Sequence, residues 1–443
     1  MGLHTAGTAV PGTSSAIPAV SRRYAWLVFA LSFGLLMSDY MSRQVLNAVF
    51  PLLKAEWLLS DAQLGSLSGI VALMVGVLTF PLSLLADRWG RVRSLVIAAI
   101  VWSLATLGCA VSASYGQMFL GRFMVGVGEA AYGSVGIAVV LSIFPISLRA
   151  TLSAAFIAGG SFGSVLGVSA GGVIAQEHGW RWAFSAMGIF GLLLATVYGL
   201  VVTEKRLGTA SNKHSARAGE RAPLRTLLPR LFSSVSVVCA YIGSGLQMFI
   251  AMAMLAWMPS FFNRYYSMAP AKAGLAAGVF ALLSGTGMIL CGIAADRLSR
   301  NLAARKWTVA IACSLASLVL LMVGFRLPTG PVQLVLIGAG TLVACGTAGP
   351  AAAMVANLTP AAIAATAMAT LTLANSLLGI APGPAVTGML ADRMGLLGAL
   401  RVVPLIAIAA SAAFAIGKLS YEKDLRRMGL MPDVSLKNLE LQS

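Results

Sequence analysis

The chain has 443 residues, 58% of them hydrophobic and only 10% charged, with a formal net charge of +17. A water-soluble domain carries about 25% charged residues, so water cannot be the solvent for most of this surface. A mean hydropathy of +0.87 excludes an ordinary soluble enzyme and points to a protein immersed in lipid.

Residues 1–23 are polar and small and end in Ser21-Arg22-Arg23. They read as a cytoplasmic tail before a retained first span, because the apolar run that follows is longer than a signal-peptide core. Runs of the ~20 residues that cross ~30 Å of hydrocarbon then fall at 24–50, 63–86, 94–113, 117–142, 150–175 and 182–202. A polar interruption at 203–230 separates them from runs at 231–260, 269–294, 307–325, 332–356, 361–390 and 396–417. All far exceed the ~10 residues of a barrel strand, so helices are expected. The fold class is therefore an all-α polytopic membrane protein of twelve transmembrane helices in two pseudo-symmetric six-helix bundles. The bundles are 24–202 and 231–417, joined by a cytoplasmic linker at 203–230 and followed by a cytoplasmic tail at 418–443.

Charge placement orients the chain. With the N-terminus inside, 22 of the 31 Lys and Arg fall in inner segments and seven in outer ones. That asymmetry is the positive-inside rule, and it places both termini in the cytoplasm of a bacterial inner membrane. The basic charge is thus a topology signal with lipid contact as a second role, and no nucleic-acid partner is expected.

Two echoes support duplication. Asp87-Arg88-Trp89-Gly90-Arg91 returns as Asp296-Arg297-Leu298-Ser299-Arg300, and Gly172-Val173-Ile174-Ala175 with Gly179 returns as Gly388-Met389-Leu390-Ala391 with Gly395. Glycine ladders mark close helix contacts, which in lipid replace the hydrophobic drive. They run through Gly159, Gly163, Gly167 and Gly171, through Gly65, Gly69 and Gly76, and through Gly274, Gly278, Gly285 and Gly292. Gly379 and Gly383 form a shorter one. They are expected where the two halves meet and slide. All five cysteines lie inside spans without a pairing pattern and are expected to be buried and free. Trp257, Pro259 and Phe262 are expected to anchor a membrane edge.

Four ionisable residues sit well inside spans: Asp39, Arg43, Arg122 and Glu129, all in the first half. Each costs at least ~2.5–3.5 kcal/mol near the bilayer centre, so each needs a reason. Asp39 and Arg43 share a helix face by their spacing. Arg122 and Glu129 lie two turns apart, roughly 10 Å along one stripe. One possibility is a pair of self-neutralising ion pairs that lock helices. The other is a polar cavity where Arg43 and Arg122, with Tyr40, hold an anionic group and Glu129 with Asp39 handles protons. The second half has no buried charge, and offers Gln247 and Asn375 for the uncharged part of a substrate.

The loop Asp87 can accept hydrogen bonds from a helix N-terminus, while Arg88 and Arg91 can meet helix C-termini. Such contacts form a latch that breaks when a cavity opens. At these residues the chain resembles the major facilitator superfamily, whose hallmark loop reads Gly-x-x-x-Asp-Arg-x-Gly-Arg-Arg. Here Ser83 replaces the leading Gly and Val92 the final Arg, with Arg93 following. Gly292, Asp296, Arg297 and Arg300 repeat the pattern. The resemblance implies a carrier whose loop Asp87, with Arg88, Gly90 and Arg91, stabilises one state of a rocking cycle. The fourth span, Arg122 to Tyr132, resembles both the anion:cation symporters and the spinster-type transporters. Those branches carry Asn-Tyr-x-Asp-Arg on the first span. This chain reads Asp39-Tyr40-Met41-Ser42-Arg43, so Ser42 stands at the acid's place and an acid stands one turn before the Arg.

Enzyme signals are weak. Gly159-Gly160-Ser161-Phe162-Gly163 lies in a glycine ladder rather than a strand-turn-helix elbow. Gly126-x-Gly128-x-x-Ala131 lacks the strand that a dinucleotide site requires. None of the three histidines lies in a span, and no metal ligand set is seen. The expected protein is a monomeric secondary transporter without cofactors, moving a small organic anion with protons. The alternative is an exporter of amphiphilic compounds or lysolipids.

Overall fold

A computed structural model describes residues 21–427 apart from 131, 205, 208–231, 233, 301, 303 and 360–363. Most of the expected linker and most of both tails lie outside the described residues. Within them the secondary structure is helical and no strand occurs. Ten segments are long and apolar enough to cross a membrane. The last of these, Thr366–Arg427, contains two helices joined at Gly395, whose φ of 77° breaks the helical run. The fourth expected span forms as two shorter helices, Tyr115–Glu129 and Tyr132–Ile143. With that pair and the split fourth span counted, the described residues hold twelve spans, numbered in chain order: span 1 Arg22–Trp57, span 2 Asp61–Trp89, span 3 Arg91–Ala110, span 4 115–143, span 5 Ile146–His178, span 6 Trp180–Val201, span 7 Val235–Tyr265, span 8 Pro270–Leu298, span 9 Arg305–Gly324, span 10 Pro331–Asn357, span 11 364–394 and span 12 396–427.

Local chemistry sets the span ends. Ser60 caps span 2 (Asp61–Trp89) in a reciprocal box with Gln63. Ser234 caps span 7 (Val235–Tyr265) through the Val237 amide. Pro270 and Pro331 open spans 8 and 10, positions where a missing N–H costs nothing. Around the perimeter Leu193, Leu200, Ile289 and Val335 are each more than half exposed. Such a surface is unfavourable in water and natural in hydrocarbon.

Packing repeats between the halves. Span 1 lies on spans 5 and 6, and span 3 on span 6; correspondingly span 7 lies on spans 11 and 12, and span 9 on span 12. The glycine ladders divide in role. Gly159, Gly163, Gly167 and Gly171 admit Phe33, Met37, Tyr40, Met41 and Val45 of span 1, so that ladder packs the first half internally instead of joining the halves. Gly379 and Gly383 likewise pack on Gly245 and Phe249 of span 7. The interface between halves uses Gly65, Gly69 and Gly76 against span 11, and Gly274, Gly278 and Gly285 against span 5.

Among the described residues, the glycine contacts between the halves run from the distal end, remote from the termini, to mid-span. From Asp61 to Gly76, span 2 follows span 11 from Gly388 to Ser376. Closer to the end that carries the termini, Phe80, Leu84 and Trp89 of span 2 are exposed, and Gly292 of span 8 has no neighbour at its missing Cβ among the described residues. At the opposite, distal end Phe50 packs on Trp257 with ring centroids 5.3 Å apart, and the Trp257 indole donates to the Pro384 carbonyl at 3.0 Å. Trp257 and Phe262 are buried. Trp257 is therefore a wedge in the seam instead of the expected membrane-edge anchor, and Phe262 packs on Phe280 within its own half.

Candidate functional site

The first-half ionic residues converge, but with partners that spacing did not give. Arg43 Nη2 lies 2.7 Å from Glu129 Oε2 on span 4 and 3.6 Å from Asp39 Oδ1 one turn back on span 1. Its guanidinium sits 5.1 Å from the Tyr40 ring centroid, and Tyr40 is fixed by close contact with Gly160 and Gly163. The Ser42 hydroxyl lies 2.8 Å from the Asp39 carbonyl and 3.3 Å from Glu129 Oε1, so its one proton can serve either. Glu129 is the last residue of its helix, and the Ala130 amide still bonds to the Gly126 carbonyl.

Arg122 does something else. It is fully buried, and it donates to three backbone carbonyls: Ser42 at 2.9 Å, Arg43 at 3.2 Å and Leu67 at 3.3 Å. Those bonds tie span 4 to spans 1 and 2 and hold the backbone that carries Arg43. Replacing Arg122 by Gln, whose shorter amide cannot span all three carbonyls, removes most of these inter-helix bonds, a loss on the order of 3 kcal/mol. Thermal unfolding in detergent is expected to show a clear drop in Tm.

Of the four groups, Arg43 retains access to open space, with 20% of its side chain exposed against 4% for Asp39 and 0% for Glu129. It lies two turns before Phe50 on the same face, the face that meets span 7. The formal charges of Asp39, Glu129, Arg43 and Arg122 cancel.

Next to this cluster is a buried polar chain that the sequence did not single out. Asn47 Nδ2 donates to Gln44 Oε1 at 2.6 Å, and Ser68 Oγ donates to Asn47 Oδ1 at 2.6 Å. The usable signal was its position, one residue and one turn beyond Arg43. In the second half Gln247 is buried and donates to Ser317 on span 9 at 3.4 Å, so it faces its own bundle. Asn375 is half-buried, and its Oδ1 has no hydrogen-bond partner among the described residues. It directly precedes a π-helical turn at Ser376–Ile380, a distortion often found at functional sites. Ser376 of that turn abuts Gly76 of the first half.

At the terminal end the side chain of Asp87 lies outside the described residues. Arg88 and Arg91 are exposed, and Gly90 adopts a φ of 103°. Asp296 is largely exposed and pairs with Lys306 at 3.2 Å, while Arg297 and Arg300 are exposed. The described partner of Asp296 belongs to its own half.

The fold is thus a pair of helical bundles that meet around buried ionic groups. The Major Facilitator Superfamily model matches residues 32–384, and the chain belongs to that family: it is a multi-pass membrane transporter, not an enzyme. It is similar to the probable L-galactonate transporter of Escherichia coli, 26% identical over 61% of each chain. It is also similar to the hexuronate transporter of Bacillus subtilis, 25% identical over 50% of this chain and 53% of that one. These alignments span between about half and two thirds of the relatives' length. The gallate transporter of Pseudomonas putida is 25% identical over 68% of this chain and 71% of its own. Among solved structures, a bacterial homologue of the human lysosomal transporter spinster, inward-facing and occupied, has a TM-score of 0.79. It is 19% identical and covers 91% of this chain and 99% of that one. That likeness concerns the fold.

Proposed function

We propose that this protein is a secondary active transporter of the bacterial inner membrane that couples proton entry to movement of a small organic anion by alternating access. The observation that carries the proposal is Arg43, a partly exposed guanidinium held between two buried carboxylates. Arg43 would receive the substrate carboxylate, with Tyr40 beneath it and Asn375 facing the uncharged part. Arg122 would act through the backbone it holds, and Gln247 through the second-half interior.

Charge balance supplies the coupling. The cluster is neutral as it stands, so a bound carboxylate leaves an excess negative charge in a low-dielectric site. Protonation of Glu129 or Asp39 restores neutrality and frees Arg43 for the substrate. Carrier turnover then moves proton and anion together. The Asp39 Oδ1 atom, buried 3.6 Å from Arg43 and without a hydrogen-bond partner among the described residues, supports its share in that role. The named substrates of the sugar-acid and gallate relatives are in keeping with a carboxylate. With termini and basic segments in the cytoplasm, this state would be the inward-open one, and Asp87, Arg88, Gly90 and Arg91 with Asp296, Arg297 and Arg300 would form the latch of the opposite state.

The test is uptake by the purified protein in vesicles with an imposed pH gradient, offered sugar acids, aromatic carboxylates, neutral sugars and lysolipids. Acid-inside-dependent loss and acid-outside-driven gain of a carboxylate are expected. Transport confined to lysolipids would replace this proposal by export of amphiphiles. One feature favours that second possibility: an apolar cavity of about 130 Å³ between spans 2, 3 and 4, lined by Leu82, Leu85, Trp89, Ile97, Val101 and Val127.

A further inference from the structure

The loop pattern seen twice at the terminal end is present four times. Ser83-x-x-Ala86-Asp87-x-x-Gly90 and Gly292-x-x-Ala295-Asp296-x-x-Ser299 close spans 2 and 8. Gly172-x-x-Ala175-Gln176-x-x-Gly179 and Gly388-x-x-Ala391-Asp392-x-x-Gly395 close spans 5 and 11, at the distal end. The relation is structural as well. Gly90, Gly179 and Gly395 are the three glycines with positive φ among the described residues, at 103°, 89° and 77°. Gly90, Gly179 and Ser299 each donate their amide to the alanine carbonyl four residues back.

The fifth position of each distal copy reaches across to the opposite half. Asp392 accepts from the backbone amides of Asp61 at 2.7 Å and Ala62 at 2.9 Å, the first turn of span 2. Gln176 Oε1 accepts from the Ala271 amide at 3.1 Å, the first turn of span 8. The leading glycines make the approach possible: a Cβ on Gly388 would strike the Asp61 carbonyl, and one on Gly172 would strike Pro270. Beside the Asp392 cap, the buried Asp61 carboxylate takes Arg264 of span 7 at 2.6 and 2.8 Å and Lys54 of span 1 at 2.6 Å.

We propose that these two distal copies are the gate of the end remote from the termini: Asp392 and Gln176 cap the facing helices, and the Asp61–Arg264 pair bolts the halves together, so all three contacts must break before that end opens. The sites form a two-fold set, span 11 onto span 2 and span 5 onto span 8, which is what a pseudo-symmetric carrier requires to close without tilting. The two caps differ in strength. Asp392 makes two charge-assisted bonds to a helix N-terminus, and Gln176 makes one neutral bond. The Asp392 side of the seam is therefore the one that governs release. This inference rests on the carrier proposal for its purpose, but its geometry can be tested alone.

Spin labels at Leu58→Cys and Val332→Cys, both mostly exposed at the distal end of opposite halves, report the separation in full-length protein in lipid vesicles with the native cysteines replaced. Asp392→Asn and Arg264→Gln are each expected to raise the distal-open to distal-closed ratio about tenfold. Gln176→Asp, which makes the weaker cap charged, is expected to lower it. Unchanged distance distributions in all three variants overturn the gate. Uptake in the same vesicles separates the two proposals. Opening in Asp392→Asn without any solute flux in the parent protein removes the carrier and leaves the gate, whereas flux with unchanged distances removes the gate and leaves the carrier.

Discussion

Arg43→Ala is expected to reduce uptake of the transported anion about a hundredfold and to lower stability by about 3 kcal/mol, because two buried carboxylates lose their shared counter-charge. The two effects separate by a second change. Arg43→Ala combined with Glu129→Gln removes one of the stranded charges, so much of the lost stability returns while uptake does not. Uptake into vesicles and thermal unfolding of the same preparations measure both. Arg43→Lys is expected to restore the charge but only part of the uptake, since an ammonium cannot reach Glu129 and a substrate carboxylate with the same planar fork. If uptake by Arg43→Ala equals that of the parent protein, Arg43 is a helix lock and not an anion site.

Glu129→Gln is expected to abolish proton-driven accumulation at least tenfold while exchange of solute across the membrane without a gradient continues. The amide fills the same volume and keeps a contact with Ser42, 3.3 Å away in the parent structure, so the site stays folded. It holds a permanent neutral state, which mimics the protonated carboxyl and removes the reason for a proton to travel. Counterflow in vesicles loaded with unlabelled solute, compared with uptake under a pH gradient, reads the two activities separately. Accumulation that survives in Glu129→Gln would transfer the coupling to Asp39.

The bundle pattern was legible in the sequence because lipid imposes a uniform length and composition on every crossing segment. The end of the first helix of span 4 at Glu129 was not, since residues 117–142 form one mostly apolar run in which hydropathy marks no boundary. The convergence of Asp39, Arg43 and Glu129 was anticipated, but helical spacing pairs residues along one helix and is silent about crossings. It therefore grouped Arg122 with Glu129, whereas Arg122 spends its donors on the Ser42, Arg43 and Leu67 carbonyls. Glycines misled for the same reason: the ladder from Gly159 to Gly171 signals a close neighbour, and only the fold says that the neighbour is span 1. Asp392 was hidden because its motif was compared with its translated copy at Gly172, where Gln176 replaces the acid, and not with the loop at Asp87 in the inverted arrangement.

The corners at Gly90, Gly179 and Gly395 have a mechanical corollary. Each is a single residue between the end of one long helix and the start of the next, far shorter than the connections of a few residues common between helices. A joint so short has almost no slack, so a tilt in span 2, 5 or 11 is handed to span 3, 6 or 12 nearly undiminished. The smallest moving part is consequently a V-shaped pair of rods, and flexing has to be accommodated in the looser connections elsewhere along the chain.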